Sequence, residues 1–240
     1  MNHLNKAINN NALWCELVNK ANDIPGIFES ELWYNSNEVV LFYPNLITLS
    51  SNFNETQKNV LLKIIKGHPK NNWAVKDSFA SLDLAKYDFF ELFESDWFLR
   101  QSTQPLLMSK TDLPKIKIIN NESDLKQWEL AWSAHQPMKS EQSIFSDNLL
   151  ENDEVAFLAI IENNKITKGL IGNKSDDVIG VSNLFGFDIF ENDIMSTFIQ
   201  TLWDELGKLD LVGYESDEDI LQAKQNGFES IGKLKVWMKS

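Results

Sequence analysis

Few residues in this chain combine reactive chemistry with a suggestive position. Tyr214 and Glu215 close the apolar run "LDLVGY" (209–214) near the C-terminus. A carboxylate at a strand end can take a proton from an amine, directly or through one water. Ser182 and Asn183 stand near the end of another such run, "VIGVSNLF" (178–185), and offer a hydroxyl and an amide. His135 follows an amphipathic segment containing Trp132. Its imidazole suits a base for an amine, although the plainer reading is an exposed helix end. The three histidines, His3, His68 and His135, match no His-Glu-x-x-His or Cys/His ligand spacing, so no metal is expected. "GLIGNKS" (169–175) lacks the spacing of a phosphate loop and reads as a hairpin. No Gly-x-Ser-x-Gly nucleophile elbow occurs.

Composition narrows the classes. The single cysteine, Cys15, sits beside Trp14 in a helical pattern and reads as a buried, inert thiol. One cysteine excludes an internal disulfide and fits a reducing, cytoplasmic setting. Hydrophobic residues make up 43% of the 240, with eight tryptophans, so a packed core is expected. No run of about 18 apolar residues predicts a membrane span, and the N-terminus does not read as a signal peptide. A net charge of −13 argues against nucleic acid or an anionic membrane as partner. It suits a small-molecule amine or another cationic ligand. A homodimer is compatible with the sequence, which leaves the oligomeric state open.

The elements that must position these residues are clearest beyond residue 115. "KIKII" (115–119) alternates as a strand, and 124–135 reads as a helix. "VAFLAII" (155–161) and "ITKGLIGN" (166–173) form a hairpin about Asn163-Asn164, a pair suited to positive φ. "VIGVSNLF" is the third strand of this meander. Met195, Phe198, Ile199, Leu202, Trp203 and Leu206 then recur with helical period, and Gly207 follows as a C′ residue. A strand over 209–214 leads to a helix with a Ser216/Asp219 cap pattern that ends at Gly227, and 229–239 is the last strand. Nearer the N-terminus, 38–43 and 46–50 are strand-like, and 54–67 reads as a helix with an Asn54/Gln57 cap. Residues 72–79 form a strand, 82–93 a helix and 94–101 a strand. This order, and a Phe-Glu-Ser in both halves, make a tandem or pseudo-duplicated architecture one reading. The polar, two-proline stretch 101–114 is the natural linker. Domains of 1–105, a degenerate copy in that reading, and 115–240 result.

The strand order of residues 115–240, the long helix after the third meander strand, and "ILQAKQNGFESIGKL" (220–234) resemble the GCN5-related N-acetyltransferase (GNAT) superfamily. The resemblance implies an α+β fold with a mixed, mostly antiparallel sheet flanked by helices. It implies that the fourth and fifth strands of that domain splay apart and hold acetyl-CoA between them. Val181, Ser182, Asn183, Leu184 and Phe185 would then line the donor channel. Glu215 and Tyr214 would stand at the reacting end, and Trp132 and His135 on the acceptor side. The sequence departs from the family at two places. Its Arg/Gln-x-x-Gly-x-Gly/Ala loop is replaced by "GFDIFEND" (186–193), which holds no basic residue and carries Asp188, Glu191 and Asp193. Ala223 occupies the position of a tyrosine that serves as general acid in many members. The leading expectation is an acetyl-CoA-dependent N-acetyltransferase acting on a small amine. The rival is a non-catalytic binding or assembly protein that keeps the fold and has lost the diphosphate loop.

Overall fold

A computed structural model describes residues 2–36, 39–53, 55–67, 73–108, 113–136, 143–188, 191–216 and 219–239. Helix α1 (His3–Ala21) starts at Asn2, whose side-chain oxygen accepts from the Asn5 N–H at 2.8 Å. Such an N-cap satisfies a donor that the first turn leaves open. Short strands β1 (Ile27–Phe28), β2 (Leu32–Tyr34) and β3 (Leu46–Thr48) follow, then α2 (Glu55–Gly67), β4 (Ala74–Asp77) and the long β5 (Phe89–Arg100). The second half contains β6 (Ile116–Ile119), α3 (Glu122–Ser133), a 3-10 turn at Asp147–Glu151, β7 (Val155–Glu162), β8 (Lys165–Ser175) and β9 (Val178–Phe185). It closes with α4 (Asn192–Leu206), β10 (Asp210–Glu215), α5 (Asp219–Gln225) and β11 (Glu229–Lys239).

Local signals hold throughout the second half. Asn163 and Asn164 both have positive φ, 51° and 61°, in the β7–β8 turn. Gly207 and Gly227, with φ of 94° and 83°, end α4 and α5. The first half departs from expectation. The helix expected over 82–93 is a 3-10 turn, Ala85–Tyr87, followed by strand from Phe89. Asp88, at φ 65°, breaks the helical course. β5 then pairs along its length with β11 and over five residues with β10. Such pairing overrides a local helical pattern. The strand expected over 38–43 is a turn in its described part: Tyr43 N–H bonds to the Val40 carbonyl, and Phe42 has φ 72°. The cap patterns at Asn54/Gln57 and Ser216/Asp219 involve side chains outside the described residues.

Among the described residues eleven strands form one mixed sheet in the order β1-β2-β3-β4-β11-β5-β10-β9-β8-β7-β6. The order repeats one plan about its centre. β3 and β4 run parallel with α2 between them in sequence, as β9 and β10 do with α4. The final strands are exchanged: β5 lies between β10 and β11, and β11 between β5 and β4. Arg100 at the end of β5 ties this exchange down. Arg100 as a whole is 2% exposed, and its guanidinium donates to the carbonyls of Asn226 (3.0 Å) and Pro105 (2.7 Å), with the Trp203 ring 5.5 Å away. Burial lowers its pKa.

Side chains of the central strands alternate between two buried faces. Phe157, Ala159, Ile171 and Phe185 pack with Trp14 of α1 and Trp128 of α3. Leu158, Ile160, Leu170, Ile179 and Leu211 pack under α4 through Phe198, Ile199 and Leu202. On β4 the same alternation turns Val75 toward α2 and Lys76 toward α1.

Candidate functional site

β9 and β10 pair in parallel through Asp210–Val178, Leu211–Ile179 and Val212–Gly180, and no register pair joins them beyond that among the described residues. β10 instead stays on β5 as far as Glu215–Asp96, while β9 stays on β8. The two strands therefore part, leaving a wedge-shaped gap between 181–184 and 213–215.

A local irregularity helps separate them. Ile171 and Gly169 of β8 face Ser182 and Phe185, so three steps along β9 match two along β8. Asn183 sits in this bulge with φ 54°, a conformation that asparagine tolerates better than most residues. A bulge bends its strand and re-aims the residues after it. Gly213 stands where the gap opens; a Cβ there would come within 2.8 Å of the Val181 carbonyl oxygen. Val181, Ser182, Asn183 and Leu184 are half-buried along the gap, and the buried Ser182 hydroxyl has no hydrogen-bond partner among the described residues. Phe185 turns into the core, its ring 5.1 Å from that of Trp128.

Tyr214 and Glu215 are neighbours in sequence and point to opposite faces of β10. Tyr214 lies edge-on to Trp97 at 5.4 Å, and its hydroxyl accepts from Lys76 Nζ at 3.1 Å. The Lys76 ammonium also stands 4.4 Å from the ring centre and donates to Asn11 Oδ1 at 2.8 Å. Lys76 is only 3% exposed. Nothing in "WAVKDSF" marks it, since it reaches Tyr214 across two intervening strands. Glu215 lies opposite Asp96, and Asp96 lies opposite Lys233. Lys233 contacts Glu94 at 2.6 Å and Asp96 at 3.4 Å, and Glu94 holds its pKa above the ordinary lysine value.

On α3, Trp132 is 3% exposed, with Phe145 and Phe42 edge-on at 5.4 and 5.6 Å. His135 is exposed; its Nδ1 lies 2.9 Å from the Ala131 carbonyl and its ring 5.5 Å from Phe185. His135 thus meets the end of β9. His3 approaches Asp210 at 3.4 Å, and His68 lies outside the described residues. Among the described residues no group of three His, Cys, Asp or Glu side chains could hold a metal ion. No described helix is long and apolar enough to cross a membrane. A cavity of about 370 Å³ lies between α1, α3 and the 3-10 turn before β7, away from the gap.

The loop from β9 to α4 contains no basic residue, yet the fold brings one to it. Lys168 of β8 donates to the Gly186 carbonyl at 2.6 Å and pairs with Glu191 at 2.7 Å. The same Glu191 oxygen accepts from the Asp188 N–H at 3.0 Å. Gln222 of α5 donates to the Asp188 carbonyl at 3.1 Å. The next residue on α5 is Ala223, which offers no side-chain proton. The β9 side of the gap fits the neutral arm of an acyl thioester: it offers strand-edge backbone and the uncharged side chains of Val181, Ser182, Asn183 and Leu184. The loop end fits a diphosphate poorly: among the described residues its nearby cation, Lys168, and the Asp188 N–H already end on the Glu191 carboxylate.

No family model matches the sequence, and no curated protein matches it. Solved structures do resemble it. A GCN5-related N-acetyltransferase from Kribbella flavida superposes with a TM-score of 0.65 at 8% identity, covering 96% of this chain and 95% of that one. A conserved protein of unknown function from Staphylococcus epidermidis gives 0.61 at 10% identity, over 90% and 94%. An acetyltransferase of the GNAT family from Colwellia psychrerythraea gives 0.51 at 10% identity, over 89% and 83%. The chain therefore has the α+β fold of these acetyltransferases along nearly its whole length, first half included.

Proposed function

We propose, from this fold and the parting of β9 and β10, that the protein transfers an acyl group from a thioester donor of the acetyl-CoA kind to a small amine. The observation that carries the reading is the gap itself. Open strand edges in the middle of a large sheet are costly unless something pairs with them, and an amide-bearing arm satisfies them. The donor supplies an activated acyl carbon. Glu215 takes the proton of the incoming amine, directly or through water, as the C–N bond forms and the C–S bond breaks. The leaving thiolate takes its proton from water, since Ala223 has none to give. Ser182 and Asn183 orient the reacting groups, and the exposed His135 borders the acceptor side, with the buried Trp132 supporting that wall from the core. The net charge of −13 attracts a cationic acceptor.

Acetyl transfer to a panel of primary amines, followed by thiol release, tests the reading. Glu215→Gln should lower kcat by about 100-fold or more, with the donor's KM little changed. Unchanged turnover would remove Glu215 from the mechanism. No heat of binding and no thermal shift at millimolar acetyl-CoA would leave the second reading, a non-catalytic binding protein, which Ala223 favours.

A further inference from the structure

Resting on the donor site proposed above, we infer that Glu191 is a built-in occupant of the anion-binding end of the gap. The protein then reads the neutral arm of its thioester donor and draws no affinity from a diphosphate. Among the described residues, the Lys168 ammonium and the Asp188 N–H are two groups an incoming anion could use there. Both already end on one Glu191 oxygen, at 2.7 and 3.0 Å. The Lys168 and Glu191 side chains are 14% and 27% exposed, so the pair is partly withdrawn from water. A diphosphate arriving there meets one of two penalties. Displacing Glu191 leaves a half-buried carboxylate without its ammonium. Lying beside it places like charges in contact in a medium of reduced dielectric. Asp188 and Asp193 add further charge of the same sign. Deeper in the gap the character changes: Val181, Ser182, Asn183 and Leu184 carry no charge, and an amide-bearing arm meets no such penalty.

Titration calorimetry of the full chain with coenzyme A and with pantetheine, the same arm without nucleotide or phosphate, tests the inference. The wild-type protein should bind the two with dissociation constants within about threefold of each other. Glu191→Gln keeps the side chain's shape and removes its charge. It should tighten coenzyme A by about tenfold or more and leave pantetheine unchanged. Adding Lys168→Met to that variant should abolish the gain. A wild-type preference for coenzyme A of about tenfold or more would overturn the inference, as would a ratio that Glu191→Gln does not move. With pantetheine still binding, either result leaves the donor site standing. If neither compound binds the wild-type protein or the variant, the donor site fails and the inference with it. The wild-type comparison needs no variant to fold.

Discussion

Three side chains around the gap owe their state to what surrounds them rather than to their type. Lys76 is a buried ammonium held by an amide, a phenol oxygen and the face of a ring, with no carboxylate in ion-pair contact among the described residues. Tyr214 keeps its ring against Trp97 and its oxygen on Lys76, so its contribution at the gap is shape and support. Cys15 is 2% exposed beneath this group, and burial raises its pKa. A buried, protonated thiol is a poor nucleophile. Cys15 should therefore stay unmodified by an aromatic disulfide reagent in the native protein at neutral pH, and react with one equivalent once the chain is unfolded. Prompt labelling of the folded protein would contradict this burial.

At the scale of elements, caps and turns carry small, separable energies. Asn121 begins α3, its side-chain oxygen accepting from the Asp124 N–H at 3.0 Å. The Asp124 carboxylate receives Lys117 at 2.7 Å and Asn121 Nδ2 at 2.6 Å. The hydrogen bond from Lys117, above all, holds the Asp124 carboxyl below its ordinary value of 3.8. The folded state thus binds fewer protons than the unfolded state between the two pKa values. The stabilisation is complete above the unfolded pKa and is lost as pH falls through the folded one. Discounted for solvent screening, it is worth about 0.5 kcal/mol. Asp124→Asn should lower the melting temperature by about 1–2 °C at pH 6, and the difference should shrink as pH falls below the ordinary carboxyl range and through the lowered folded-state pKa. A difference independent of pH would assign the effect to the cap geometry alone.

At the scale of the whole molecule the exchanged strands decide what can fold. β5 from the first half supplies the shared neighbour of β10 and β11, and the wedge-shaped gap exists because β10 is held on β5 while β9 follows β8. Arg100 fastens the same exchange from within the core, through the Asn226 carbonyl on one side and the Pro105 carbonyl on the other. A fragment of residues 113–240 keeps every element of the resemblance drawn from sequence, yet leaves two long strand edges open. It should show no cooperative thermal transition by circular dichroism as a monomer, whereas the full chain melts sharply. Adding residues 1–105 in trans should restore the transition. A fragment that melts cooperatively by itself would show that β5 is dispensable.

Sequence alone determined what depends on neighbours along the chain. The helical period of α4, the Asn163-Asn164 turn, the glycines after α4 and α5, and the order of elements from β6 to β11 all follow from side-chain spacing and backbone preference. It also placed Ser182, Asn183 and Glu215 correctly on their strands, because strand ends are local features. Tertiary structure decided whatever required a distant partner. Residues 89–93 are strand because the distant β11 pairs with them. The acidic loop 186–193 has a cation because β8 lies beside it, 18 residues before the loop begins by its Lys168–Gly186 contact. Lys76 meets Tyr214 because β4 and β10 share one sheet and one covering helix, a separation of 138 residues in the chain. Periodicity and turn chemistry act over a few residues; strand pairing and the burial of charge act over the whole chain, and they shaped the gap.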